Sequence, residues 1–172
     1  MKKLFVVAIL ALSFANVKAQ QQSSASATSD AKIVNPISIA NTASLSFGNI
    51  AVSSSTNGTV VMSPAGIRSS TGGVTLPSVT GTTSAASFTV SGEATYTYAI
   101  SVSSSATLSD GTHTMTLDNF TTTPSGTGTI GSGGTQTVTV GGRLNVAAAQ
   151  TANTYNTTNA GGSNFSVTVN YN

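Results

Sequence analysis

Cysteine and tryptophan are absent from these 172 residues, histidine occurs once, and charged residues make up only 6% of the chain. Without cysteine there are no disulfide bridges and no thiolate chemistry, so stability must come from backbone hydrogen bonding and packing. A single histidine leaves no set of nitrogen and sulfur ligands for zinc. The four acidic residues, Asp30, Glu93, Asp110 and Asp118, are too scattered for calcium, which gathers several oxygens at one place. No cofactor is expected. Soluble domains are about a quarter charged; here serine and threonine fill that place. Low charge together with 38% hydrophobic residues and a mean hydropathy of +0.17 argues for a chain that folds.

Long apolar runs are missing too, with one exception at the start. Lys2 and Lys3, an apolar run over residues 4–15 and the small-residue sequence Val17-Lys18-Ala19 read as an export signal cleaved after Ala19. The run is shorter than the roughly 20 residues that span a bilayer. The expected organisation is a signal peptide over residues 1–19, a polar segment over 20–30 and a folded domain over 31–172. The expected location is the periplasm, the cell surface or the medium, with no membrane span. Removing Lys2, Lys3 and Lys18 takes the net charge from +2 to −1, since Lys32, Arg68 and Arg143 then face the four acids. Nucleic acids and anionic membranes are bound through clustered lysine and arginine, so neither is expected as a partner.

What the chain does have is alternation of period two, the pattern of strands with one face in a core and one in water. The last residues show it best: Phe165, Val167, Val169 and Tyr171 share one face, Ser166, Thr168 and Asn170 the other. Residues 86–90 and 96–102 alternate as cleanly, the second placing Tyr96, Tyr98, Ile100 and Val102 together. Residues 45–52 read as a strand bulged at Gly48. Asn57-Gly58 and Asp110-Gly111 read as hairpin turns. Met115 and Leu117 point inward from residues 113–117. The glycines at 131–134 and Gly141-Gly142 read as turns around strands at 137–140 and 143–146. Residues 147–152 have room for a turn or two of helix. A polar stretch over 156–164 lengthens a loop and tethers the last strand loosely. Strands punctuated at roughly 8–12-residue intervals make an all-β chain, a single antiparallel β-sandwich. Residues 20–30 read either as a disordered leader or, continued to Ile33, as a further strand with Ala25, Ala27, Ala31 and Ile33 on one face.

Several segments together resemble a known family. They are Asn35-Pro36-Ile37-Ser38-Ile39, Leu45-Ser46-Phe47-Gly48-Asn49-Ile50, Gly72-Gly73-Val74, Phe88-Thr89-Val90-Ser91-Gly92, Tyr96-Thr97-Tyr98, the run from Val140 to Val146, and Val167-Thr168-Val169-Asn170-Tyr171. Their order and spacing are similar to the bacterial domain-of-unknown-function family 4402, which looks related to spore-coat-protein-U-like domains and archaic chaperone–usher pilins. The resemblance implies an immunoglobulin-like, pilin-like sandwich completed by a strand donated from another molecule. A polar insertion between Tyr155 and Phe165 departs from the family pattern.

An enzyme is not expected. His113 lies on the face opposite Met115 and Leu117, and Ser109 and Asp110 belong to a turn, so no nucleophile, base and orienting carboxylate converge. The expected function is an exported structural or adhesive surface subunit, similar to a pilin or fimbrial protein. A periplasmic chaperone and neighbouring copies of itself are its expected partners. Phe165, Val167, Val169 and Tyr171 would form the strand a partner pairs with, and Ala25, Ala27, Ala31 and Ile33 the donated strand. The competing expectation is a self-complete secreted module that binds a ligand or carbohydrate.

Overall fold

The computed structural model describes residues 21–172, so the expected export signal lies outside the described residues. Two compact units are distinguished, Met1–Ile33 and Val34–Asn172. In the first, residues 21–33 form no strand or helix and are exposed throughout. The described residues of the second form twelve strands and no helix. The strands are β1 (Ser38–Ala43), β2 (Ala51–Val52), β3 (Gly58–Met62), β4 (Arg68–Gly72), β5 (Val74–Thr75), β6 (Ala86–Ser91), β7 (Thr97–Val102), β8 (Ser105–Ser109), β9 (Thr114–Thr123), β10 (Thr127–Thr129), β11 (Thr135–Val146) and β12 (Val167–Tyr171).

All the strand pairs are antiparallel, and they build the β-sandwich expected from the alternation. One sheet runs β1-β6-β11-β3-β4, with β9 and then β8 attached to β11. The other runs β10-β7-β12, and β2 and β5 form a small ladder of their own.

Strand β11 joins the large sheet. Thr139 and Val140 pair with both β6 and β9, so these two lie on opposite edges of β11. Further along, Arg143, Leu144 and Asn145 pair with both β3 and β9. Strands β6 and β3 therefore follow one another along the same edge. Gly141 sits at the handover, where a Cβ would come 2.1 Å from the Met62 carbonyl oxygen. Gly141-Gly142 is thus the interior of one twelve-residue strand and not the turn expected from its composition. Gly141 answers a close backbone approach that only the tertiary structure creates, and a Cβ on Gly142 would press on the Leu117 and Phe120 side chains. On the other edge the pairing jumps from Gly141↔Thr121 to Arg143↔Asp118. This bulge leaves Asn119 with φ 47°, a left-handed conformation that asparagine tolerates better than most residues.

The interior holds two apolar clusters. One gathers Val60, Met62, Leu117, Leu144 and Val146, the other Val90, Tyr98, Ile130, Val138 and Val140. Leu45, Phe120 and Phe165 pack on both, and the Phe120 and Phe165 rings lie 4.7 Å apart. Tyr98 is fully buried, and its hydroxyl donates to Gln136 Oε1 at 2.6 Å. Burial raises its pKa, so it remains a donor.

Other local expectations are corrected. Residues 45–52 are not one bulged strand: Gly48 takes φ 65°, which separates a single bridge at Ser46 from β2. Asn57-Gly58 does not close a hairpin, because β2 pairs with β5 and β3 with β4 and β11. Asp110-Gly111 does start the four-residue loop between β8 and β9. Residues 147–152 form no helix, and Ala149 is left-handed at φ 54°. Tyr98 is buried but Tyr96 is exposed, turned out by the left-handed Thr95 before it. The stretch over 156–164 is not a loose tether. Asn156 and Ser163 bridge to Ser109 and Thr107 on the outer edge of β8, and the buried Ser109 hydroxyl donates to Ala160 O at 2.6 Å.

Gly141→Ala is expected to lower unfolding stability by about 1–3 kcal/mol, the usual cost of overpacking, because β3 and β11 must separate to admit the methyl group. Urea unfolding followed by far-UV circular dichroism checks this, and an unchanged midpoint would contradict the handover.

Candidate functional site: a cleft between two open strand edges

The C-terminal strand places its side chains as the alternation implies. Val169 is buried, Phe165, Val167 and Tyr171 are half-buried, and Ser166, Thr168 and Asn170 are exposed. Its backbone follows the same period. The Ser166 carbonyl accepts from Ser103 N, and Asn172 N donates to Thr97 O, so the even-numbered residues bond to β7. In an antiparallel ladder the intervening residues direct their N–H and C=O groups the other way. Phe165, Val167, Val169 and Tyr171 therefore turn side chains inward and backbone groups toward the edge that carries no strand, since β12 ends its sheet. The far end of this edge is anchored: Tyr171 Oη accepts from Glu93 N at 2.6 Å and donates to Asn35 O at 2.8 Å.

The near end, at Phe165, opens into a cleft of roughly 1190 Å³. Small-molecule pockets run to about 300–1,000 Å³, and this space is somewhat larger. Leu117, Leu144, Met115 and Val146 from β9 and β11 line its interior, together with Ala86 and Phe88 from β6. Residues 44–52 line it as well, as do residues 150–157. Ser46 spends both its backbone groups on Ser84, which leaves its neighbours Leu45 and Phe47 directed away from that bridge. The N–H groups of both and the carbonyl of Leu45 bond to no group among the described residues. Arg68 holds this border in place, its guanidinium donating to Phe47 O and, at 3.1 Å, to Asn49 O. A second close approach fixes it from behind: a Cβ on Gly48 would come 2.2 Å from Thr80 O.

The cleft therefore combines apolar side chains in its walls with backbone groups at Leu45 and Phe47 that bond to no group among the described residues, and it meets the β12 edge at Phe165. Among its wall residues Leu117, Leu144 and Val146 are buried. The sequence pointed to Phe165, Val167, Val169 and Tyr171, which do form one edge. It did not point to Leu45, Phe47 or the β9 and β11 side chains, which only the fold brings together. Ala25, Ala27, Ala31 and Ile33 are exposed.

The titratable groups cluster elsewhere, at the β8–β9 loop. Asp110 accepts from Thr112 N and His113 N at 2.8 and 2.6 Å, and from Asn153 Nδ2 at 3.3 Å, and its Oδ2 lies 3.1 Å from His113 Nδ1. The backbone donor of His113, then that of Thr112, holds its carboxyl well below the usual carboxylate range. Asp110 and His113 are thus brought together, but Ser109 Oγ is committed to Ala160 O and Gly111 N and offers no nucleophile to the pair. Among the described residues no three histidine, cysteine or acidic side chains converge as a metal set. Arg143 makes a two-pronged ion pair with Asp118 at 2.9 and 3.1 Å beside the bulge. That hydrogen bond draws the Asp118 pKa down.

The family model described as Domain of unknown function (DUF4402) matches residues 37–171. The chain belongs to this family. The matched span runs from the residue before β1 to the end of β12, so the cleft and its borders lie inside the family domain. Neither the curated proteins nor the solved structures gave a match. No helix among the described residues is long and apolar enough to cross a membrane.

Because the folded-state pKa of Asp110 lies below its ordinary value of 3.8, its contribution to stability is present above that value and is lost as pH falls through the folded pKa. Asp110→Asn is therefore expected to be less stable than the parent at neutral pH, with the gap closing as the medium is made strongly acidic. Urea midpoints across pH check this, and a gap that does not vary with pH would contradict it.

Proposed function

We propose that this protein is an exported structural or adhesive surface subunit, pilin-like, that assembles by strand complementation. The observation that carries the reading is a pair of edges, at Leu45 and Phe47 beside the cleft and along β12 beyond Phe165, whose outward backbone groups bond to no strand among the described residues. A buried or shielded peptide group without a partner is costly, and an added strand supplies partners while covering apolar surface. The occupant is the segment over residues 25–33 of a second copy. Those residues form no regular structure of their own, and Ile33 is 96% exposed. They alternate Ala25, Ala27, Ser29, Ala31 and Ile33 on one face, small enough to enter a cleft already lined by large side chains. Before assembly, a periplasmic chaperone would pair with the same β12 edge.

A second reading has one observation in its favour. A smaller cleft of about 450 Å³ is lined by hydroxyl and amide groups of Ser103, Ser104, Asn119, Thr121 and Ser125 beside Phe120, a composition that suits a neutral ligand such as a carbohydrate. This reading makes the protein a self-complete monomer.

Deleting residues 20–33 is expected to abolish fibres seen by electron microscopy while the remaining unit still unfolds cooperatively. Fibres that survive the deletion, or an intact protein that stays monomeric in gel filtration at every concentration, would sink the complementation reading.

A further inference from the structure

Residues 150–157 line the cleft, yet they are not built into either sheet. The ends of this stretch are fastened firmly. On one side Ala148 N donates to Asn57 Oδ1 at 2.7 Å and Ala149 N to Ser53 O at 2.9 Å. On the other, Asn156 exchanges both backbone bonds with Ser109, at 2.8 and 3.0 Å. Asn156 Oδ1 also accepts from Thr158 N and Asn159 N, which fixes the chain beyond it.

Between these fastenings the attachment changes character. No backbone N–H or C=O of residues 150–155 bonds to the sheets. Two side-chain contacts remain, both long: Gln150 Nε2 to Thr114 O at 3.5 Å and Asn153 Nδ2 to Asp110 Oδ2 at 3.3 Å. The other bonds of the segment are internal, from Thr154 N to Asn153 Oδ1 and from Tyr155 Oη to Thr151 O. Residues 151–154 are exposed, but Tyr155 is half-buried and packs against the apolar cluster that contains Leu117 and Leu144. The left-handed Ala149 stands where the firm and weak parts meet. An alanine in that conformation is strained, which favours a change of backbone direction there.

We propose that residues 150–155 form a strap that covers one side of the cleft in the single subunit and swings aside when a strand enters, with Tyr155 as its apolar plug and the Asn153–Asp110 contact as its latch. The proposal rests on the strand-complementation reading and adds to it a step of regulation. The plug covers wall residues that an incoming side chain would cover in the assembled state. The internal bond from Tyr155 to Thr151 lets the segment move as one piece. The latch is a single contact to a carboxylate already satisfied by two backbone donors and His113, so opening costs Asp110 little.

The test uses the monomeric full chain and a fluorescent peptide with the sequence of residues 20–34, its uptake followed by anisotropy. Asn153→Ala is expected to speed uptake about fivefold, the equivalent of one net hydrogen bond in the open population. Tyr155→Ala is expected to speed it further. Thermal unfolding of both variants controls for loss of the fold. Uptake by the parent at the same rate as by both variants would overturn the strap and leave complementation standing. No uptake by any of the three would overturn complementation and the strap with it. Hydrogen exchange supplies a check that needs no peptide. Amides of residues 150–155 should exchange like unstructured chain, whereas Asn156 and Ser163, bonded to β8, should be protected. Equal protection across the whole stretch would overturn the strap by itself.

Discussion

Strand β11 is the element on which the rest of the sandwich depends. A strand has two edges and normally serves two neighbours. Here twelve residues serve three, because β6 and β3 share one edge in succession while β9 takes the other. The arrangement requires β3 to pass close to the backbone at the handover, which is why glycine stands at 141. It also divides the interior. Val138 and Val140, from the first half of β11, belong to one apolar cluster, and Leu144 and Val146, from the second, belong to the other. The sheet of β10, β7 and β12 contributes Tyr98, Ile130 nearby and Val169 to the first of these clusters only. The cleft borders the second, where no comparable sheet closes over Leu117 and Leu144.

The borders of the cleft follow from one geometric rule. In a strand, side-chain direction and hydrogen-bond direction alternate with the same period. Once the even-numbered residues of β12 bond to β7, the odd-numbered ones must combine inward side chains with outward backbone groups. The same holds at Leu45 and Phe47 once Ser46 is bonded to Ser84. Inward side chains and outward backbone groups thus arise from the same residues along each edge.

Alternation made most strands legible in the sequence, because a half-buried strand writes its burial in every second residue. Strand β12 was legible for the same reason, and residues 86–90 and Met115 and Leu117 likewise. Features that depend on distant contacts were not legible. Gly141-Gly142 looks locally like a turn, and nothing in the neighbouring residues reveals the approach of Met62. The alanines of 147–152 favour helix, but the stretch is held by Asn57 and Ser53, and tertiary bonding overrides a weak propensity. Tyr96 kept the right parity for the core and was lost to it because Thr95 reverses the backbone before it. The cleft draws on residues from 41 to 165, so no local pattern could have shown it.

Unpaired edges invite unwanted pairing, and proteins commonly blunt them with charge or cover them. This chain has little charge to use, so the treatment of each edge is informative. Strand β10 ends its sheet with only three residues. Strand β4 ends the large sheet with the sequence Arg-Ser-Ser-Thr-Gly, which offers almost no apolar surface. The outer edge of β8 is covered by the polar stretch that bridges through Asn156 and Ser163. The treatment differs at β12 and at Leu45 and Phe47, where apolar residues alternate beside backbone groups that bond to no strand among the described residues. The polar stretch thus has two consequences from one position: it seals β8 by backbone bonds, and by ending at Asn156 it suspends Tyr155 over the cleft. An edge that takes an added strand, as proposed above, needs a cover that can be removed. A segment fastened at both ends but bonded to the sheets by side chains alone meets that requirement, whereas a bonded strand in the same place would not.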